Sequence, residues 1–301
     1  MKHFILLSLI LCPLRILAQQ DPLYSQYFNN YMTLNPAYAG MNHNLNASVQ
    51  YRAQWTGFDG SPTTLNFNTH TSILRNQAGA GLLLVKDQLG NVTNTEMQAA
   101  FAYELKFNKT QLRFGMQIGF INYRTNTSNL NLADPNDPAF ATNENVTKPN
   151  IGAGVILQSE KYMIGLSVPR LMSTTVSNGG QSYEAYSQHY YLMGAYIFRV
   201  NENVKFKPLT VLKGVAGAPL SVDLNANFIF KDTYTAGVFT RNFGTYGFLL
   251  QAKLLDHIKL GYTYEMPTNQ SVGTRFVTHE LFLGVVLKAF SYHDPYAVTN
   301  F

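Results

Sequence analysis

Beyond residue 18 the chain has no cysteine; its single one, Cys12, lies in an apolar leader. Once that leader is removed, neither a disulfide nor a cysteine-based metal site can hold the protein together. Charge is scarce as well. Asp, Glu, Lys and Arg make up 13% of the residues, about half the usual share. Setting aside Lys2 and Arg15 leaves 20 basic against 17 acidic residues. With so small an excess and no basic run, nucleic acid is not an expected partner. Long apolar stretches are also missing: none after the leader approaches the roughly 18 residues of a membrane-crossing helix. What is plentiful is aromatic, with 19 tyrosines and 20 phenylalanines. A soluble sandwich or barrel of this length would need far more surface charge, whereas a transmembrane β-barrel tolerates this composition.

The leader reads Met1, Lys2, His3 and then "FILLSLILCPLRILA", ending at Ala18. A basic start, an apolar centre and a small residue before the first polar stretch predict a signal peptide over 1–18 and an exported chain over 19–301. Leu11 before Cys12 does not suit a lipoprotein signal. The exported part opens with "QDPLYSQYFNNYMTLNPAYAG". Tyr24, Tyr27, Phe28 and Tyr31 fall at the i, i+3, i+4, i+7 spacing of one helix face, Asp21 and Pro22 suit its start, and Asn35-Pro36 ends it. With Tyr38, these aromatics predict a short helical segment that covers a surface at the barrel mouth or contacts a partner. Residues 19–44 are expected on the periplasmic side, ahead of the first strand.

Alternation dominates the rest. In "NTEMQAAFAYELKF" Met97, Ala99, Phe101, Tyr103, Leu105 and Phe107 alternate with Gln98, Ala100, Ala102, Glu104 and Lys106. Period two over this length is a strand with one apolar and one wet face. "QLRFGMQIGF", "VDLNANF", "YGFLLQAKL" and "IKLGYTYE" repeat the pattern. Strands are expected near 45–55, 62–72, 78–87, 93–106, 110–123, 148–158, 161–169, 187–200, 204–213, 219–230, 233–241, 245–254, 257–266 and 276–288. The fold class is thus all-β, an antiparallel up-and-down transmembrane barrel of about fourteen strands. Links after even-numbered strands are short. Several after odd-numbered ones are long, notably 124–147, 170–186 and 267–275, the asymmetry of periplasmic turns and outer loops. Arg52, Glu104, Lys106, Arg113, Asp223, Lys253, Lys259 and Glu265 fall on the polar face, toward the lumen.

Catalytic patterns are weak. The histidines at 43, 70, 189, 257, 279 and 293 are scattered, and the adjacent His279-Glu280 lies in a strand, where neighbouring side chains point to opposite faces. Asp134 and Asp137 in "ADPNDPAF" are turn formers before they are cation ligands. "AGAGLLL" runs into a strand, so Gly79 and Gly81 relieve crowding rather than cradle phosphate. No enzyme activity, cofactor or metal is expected.

The opening motif, "YRAQW" (51–55), "GLSVPRL" (165–171), "KPLTVLK" (207–213), "SVDLNANFIFKDTYTAGVFTR" (221–241), "LGYTYE" (260–265) and "HELFLG" (279–284), in this order, resemble the PorP/SprF family. That resemblance implies a multi-pass outer-membrane barrel of Bacteroidetes-type bacteria, tied to type IX secretion and in some members to gliding motility. Implied partners are outer-membrane lipid, a secreted surface protein such as an adhesin with a type IX targeting domain, and components of the periplasmic secretion ring. A passive solute channel is the alternative. The tail 291–301 departs from barrels that end on an aromatic residue of the last strand, which leaves Phe290 and Phe301 both open as the assembly signal.

Overall fold

The computed structural model describes residues 27–57, 59–127, 143–178, 181–255, 257–268 and 276–293. Its strands are β1 (Leu45–Thr56), β2 (Thr63–Ile73), β3 (Ala78–Leu89), β4 (Val92–Lys106), β5 (Gln111–Thr125), β6 (Asn145–Gln158) and β7 (Tyr162–Val168). There follow β8 (Thr174–Asn178), β9 (Gln181–Tyr186), β10 (His189–Tyr196), β11 (Phe198–Arg199), β12 (Val204–Val215) and β13 (Ser221–Phe230). The last four are β14 (Tyr234–Arg241), β15 (Thr245–Leu254), β16 (Ile258–Pro267) and β17 (Val277–Leu287). β8 and β9 pair only with each other, forming a hairpin in the link after β7 that the alternation did not predict. The others form one antiparallel sheet, closed where β1 meets β17 from Leu45↔Leu287 to Thr56↔Val277. The result is a closed barrel of 14 strands, since β10 and β11 are one wall strand. Their register on β12 is continuous from Ala195↔Leu209 to Phe198↔Phe206. The interruption falls opposite Pro208, which has no N–H to donate.

Closure satisfies the backbone without water, and the side-chain pattern shows why that is needed. Along β5, Phe114, Met116, Ile118 and Phe120 are exposed, while Arg113 and Gln117 are buried. The polarity is inverted relative to a soluble protein, so the exterior belongs in lipid. Outward aromatics gather into belts. Tyr196, Phe198, Phe206 and Phe228 form a contiguous row at one end, with centroids 4.5 to 6.0 Å apart. Phe248, Tyr264 and His279 lie toward the other, with His279 Nδ1 2.7 Å from the Tyr262 hydroxyl.

The two ends differ in their links. At the end holding the start of β1, every described link is tight. After β13, Lys231 and Asp232 both take positive φ and Thr233 N–H donates to Phe230 O at 3.0 Å, the primed turn whose twist matches antiparallel strands. The other end carries the β8–β9 hairpin and the links from β5 to β6 and from β16 to β17, and we call it the long-loop end. Most of the β5–β6 link, with Asp134 and Asp137, lies outside the described residues.

The sequence pattern implied a wet inner face; much of it is dry. Asn66, Gln98, Arg113 and Glu280 are fully buried, and chain N-terminal to β1 packs against Asn66 and Arg113. The outer face sets the first test. Ile118, 64% exposed near the middle of β5, should cost about 2–4 kcal/mol when changed to Arg against lipid. Reversible folding into vesicles measures this, and an unchanged stability would show that the belt does not meet lipid.

Candidate functional site

Residues 27–43 enter the lumen. The expected single helix is replaced by three 3-10 turns, Tyr27–Asn29, Tyr31–Thr33 and Pro36–Tyr38. The reason is local. Asn35 is extended and its side-chain oxygen accepts from Ala37 N–H at 3.0 Å, restarting the chain as a capped turn in front of Pro36. The Asp21–Pro22 start and Tyr24 lie outside the described residues. Tyr27, Phe28, Tyr31 and Tyr38 are all buried, together with Met32, Leu34 and Met41. Burying each large apolar side chain stabilises the insertion by roughly 1.5–3 kcal/mol. Burial also pushes the Tyr38 phenol up to about 12, against the smaller lowering effect of its bond to Asn42, and raises those of Tyr27 and Tyr31 well above 10. All three stay neutral, and the Tyr38 hydroxyl donates to Asn42 Oδ1 at 3.4 Å.

The segment crosses the lumen. On one side Gly40 N–H donates to His70 Nδ1 on β2 at 3.1 Å, and Asn30 Nδ2 donates to Asn66 Oδ1 at 3.3 Å. On the other, the Tyr27 hydroxyl accepts from Asn225 Nδ2 on β13 at 2.7 Å, and Lys207 Nζ on β12 stands 5.5 Å from the Tyr31 ring centroid. β2 and β12 are seven positions apart in the ring of 14, so the contacts reach opposite walls. The insertion therefore spans the lumen from wall to wall.

Between these ends the fastening is polar and backbone-directed. Asn35 Nδ2 donates to Val155 O on β6 and Leu166 O on β7, each at 3.2 Å, and Ser167 Oγ donates to Leu34 O at 2.7 Å. Arg113 Nε donates to Ala37 O at 3.0 Å and its Nη2 to Ala39 O at 2.6 Å, while Nη1 pairs with Glu104. Glu104 also meets His43 and Lys106 at 3.5 and 3.4 Å. The wall makes room with glycine. A Cβ on Gly79 would stand 1.9 Å from Ala39 O, and one on Gly115 2.1 Å from Ala37 N.

Toward the long-loop end the lumen holds a second network. Arg52 is bidentate to Glu265 at 2.6 and 2.8 Å and reaches Glu280 at 3.0 Å, with Gln50 also donating to Glu280. Arg241 pairs with Asp223 at 3.1 Å and approaches Glu265 at 3.9 Å. The lumen residues expected from the alternation therefore fall into separate groups: Arg52, Glu265 and Asp223 in this network, Arg113, Glu104 and Lys106 beside the insertion, and Lys253 and Lys259 opposite each other on β15 and β16. Glu280, Gln50, Arg241, Arg170 with its partner Glu96, and Asn35 were missed. Their inward parity was readable in the strands. Their partners were not, because the pairing crosses between strands and loops that only the closed barrel brings together, over a separation of 230 residues for Gln50 and Glu280. Among the described residues, no three His, Cys, Asp or Glu converge as metal ligands.

Comparison with known proteins follows from this geometry. The model of the family described as type IX secretion system membrane protein PorP/SprF matches residues 16–285. The chain belongs to the PorP/SprF family. Its barrel resembles the outer membrane protein Omp33 of Acinetobacter baumannii, with a TM-score of 0.51 and 7% identity, covering 82% of this chain and 100% of that one. The toluene transporter TodX of P. putida (TM-score 0.47, 10% identity, 85% and 93% covered) and the NanC porin (0.42, 11%, 81% and 99%) are more distant. No curated protein matches. At these identities the solved structures speak to fold alone. Family and fold together place this PorP/SprF chain in the bacterial outer membrane as a multi-pass barrel.

Two substitutions separate insertion from wall. Gly115→Ala should displace residues 35–39 while leaving the barrel closed, so that heat-modifiable migration persists and a protease reaches the N-terminal segment. Arg113→Ala leaves Glu104 buried beside two unfilled carbonyls and should destabilise by about 3–5 kcal/mol; Arg113→Met with Glu104→Gln should cost clearly less. Equal losses in both variants, measured by denaturant unfolding, would exclude a charge-pair origin.

Proposed function

We propose that this PorP/SprF barrel is non-enzymatic and supports type IX secretion or cell-surface attachment of a partner protein, an adhesin or other secreted cargo. The supporting observation is the insertion of Tyr27–His43 across the lumen, which leaves little free section for a passive solute channel. In this reading residues 1–18 are a signal peptide and 19–44 a periplasmic N-terminal segment of the 19–301 barrel. Tyr27, Phe28, Tyr31 and Tyr38, together with Tyr24, form the barrel-mouth element. Short turns then face the periplasm, where ring components of the secretion system would meet them, and long loops face the cell exterior, where cargo bearing a type IX targeting domain would be held.

Removing residues 21–40 tests the reading directly. The shortened chain should still assemble, and it should either lose its secreted partner on co-purification or conduct ions in planar bilayers far better than the intact barrel. Unchanged retention and conductance would remove the insertion from the function. Orientation is checked separately. Met172→Cys, beyond β7, should react with an impermeant maleimide on whole cells, whereas Glu202→Cys, in the tight link before β12, should react only after the outer membrane is breached. The reverse pattern would invert the barrel.

A further inference from the structure

The segment after the last wall strand turns back to the short-turn mouth. β17 ends at Leu287, opposite Leu45 on β1, and Leu45 in turn stands opposite Thr71 on β2. The next residue of β2 toward the short-turn end is Ser72, which falls on the inward parity of its strand and is buried. There His293 arrives from the far side of β1. Its Nε2 lies 3.0 Å from Ser72 Oγ and 3.1 Å from Ser72 O, and the residue is only 3% exposed. The chain makes this return through a turn in which His293 N–H donates to Phe290 O at 3.0 Å. Tyr292 and Phe290 meet the imidazole edge-on, with centroids 4.9 and 5.1 Å from it.

The hydrogen bonds select one tautomer. Ala289 N–H donates to His293 Nδ1 at 3.2 Å, so Nδ1 carries no proton and Nε2 bears the one that donates to Ser72. Ser72 Oγ gives its own proton to Asn76 Oδ1 at 2.7 Å, which leaves its lone pairs for the ring. The neutral imidazole thus ties the returning segment both to itself and to β2. Because β17, β1 and β2 are consecutive in the ring, this tie passes across β1 and spans the seam on which the barrel closes. The insertion meets the wall at the same place. Gly40 N–H donates to His70, two residues from Ser72 on the same face, and a Cβ on Gly40 would stand 3.0 Å from Ser72 Cα.

We propose that Ala289–His293 is a clasp, which holds the β1–β17 seam shut at the short-turn end and keeps residues 40–44 seated where the insertion joins the wall. A ladder opens first at its ends, where the fewest bonds must break together. A side chain that bonds beyond the last pair, Leu45↔Leu287, closes that route: β1 cannot part from β17 there unless His293 first leaves Ser72. The clasp does not depend on what the barrel secretes or holds.

Hydrogen exchange of the purified full-length barrel in detergent, read by mass spectrometry, tests this. His293→Ala should speed exchange several-fold in peptides covering residues 40–49 and 281–287, while peptides of β7 and β10, on the opposite side of the ring, exchange as in the wild type. His293→Gln, which keeps an N–H at similar reach, should regain part of the protection. Ser72→Ala removes Oγ but leaves Ser72 O to accept, so its effect should be smaller and fall on the same peptides. If His293→Ala does not assemble, these two milder variants carry the test, with acceleration confined to the seam. Unchanged exchange at the seam in every variant that assembles, or a loss of protection spread evenly round the ring, overturns the clasp.

Discussion

The backbone hydrogen-bond ladder between β1 and β17 is the contact on which the rest depends. In lipid an open sheet edge would leave a row of N–H and C=O groups without partners, at several kcal/mol each. Pairing Leu45 with Leu287 and Arg52 with Glu280 removes both edges at once. Closure then fixes parity: on each wall strand, alternate residues must accept lipid and the rest an enclosed interior. At 14 strands that interior is wider than side chains can fill, as they do in eight-stranded barrels, and narrower than the 16–18-stranded porins that hold an aqueous channel. The chain resolves this intermediate width with its own N-terminal segment.

That solution places demands on the wall. Backbone brought into the lumen carries carbonyls and amides that must be paired. Ser167, Arg113 and His70 meet Leu34, Ala37 and Gly40 of the insertion through its main chain, and Asn35 of the insertion reaches back to wall carbonyls. Arg113 cannot do so as a bare cation, so Glu104 stands beside it. Gly79 and Gly115 complete the fit by removing side chains where two backbones touch. The glycines in these inward positions are thus a consequence of the insertion.

Strand content was legible because lipid and lumen impose period two on every wall strand, and all fourteen expected strands coincide with wall strands to within a few residues. The break at Ile197 was hidden because alternation continues through it and only the missing N–H of Pro208 marks it. The β8–β9 hairpin escaped because its strands pair only with each other, outside the wall whose period-two pattern was being read. The N-terminal aromatics were visible, but i, i+3, i+4, i+7 spacing is met as well by consecutive 3-10 turns as by an α-helix. Asn35 decided between them by capping its own turn and reaching both neighbouring strands, a tertiary contact that no local pattern encodes. Of the lumen charges, inward position was readable and partnership was not.

The fastening of the insertion is uneven, and this bears on how the lumen could open. From Leu34 to Gly40 the chain is held by Asn35, Ser167, Arg113 and His70 and by contact with glycines on two strands. From Asn30 back to Tyr27 the polar contacts with the wall among the described residues are the Asn30–Asn66 and Tyr27–Asn225 pairs, alongside buried rings. Local opening draws on the least-fastened structure first. The Gly40 end is moreover tethered through a short link to β1, so its local concentration at the wall stays high even when individual bonds break. Movement that begins at the Tyr27 end would uncover β12 and β13 first, exposing Asn225 and Lys207 while Arg113 still holds Ala37. The opening so produced would lie along β12 and β13, and its first polar surface would include Asn225 and Lys207.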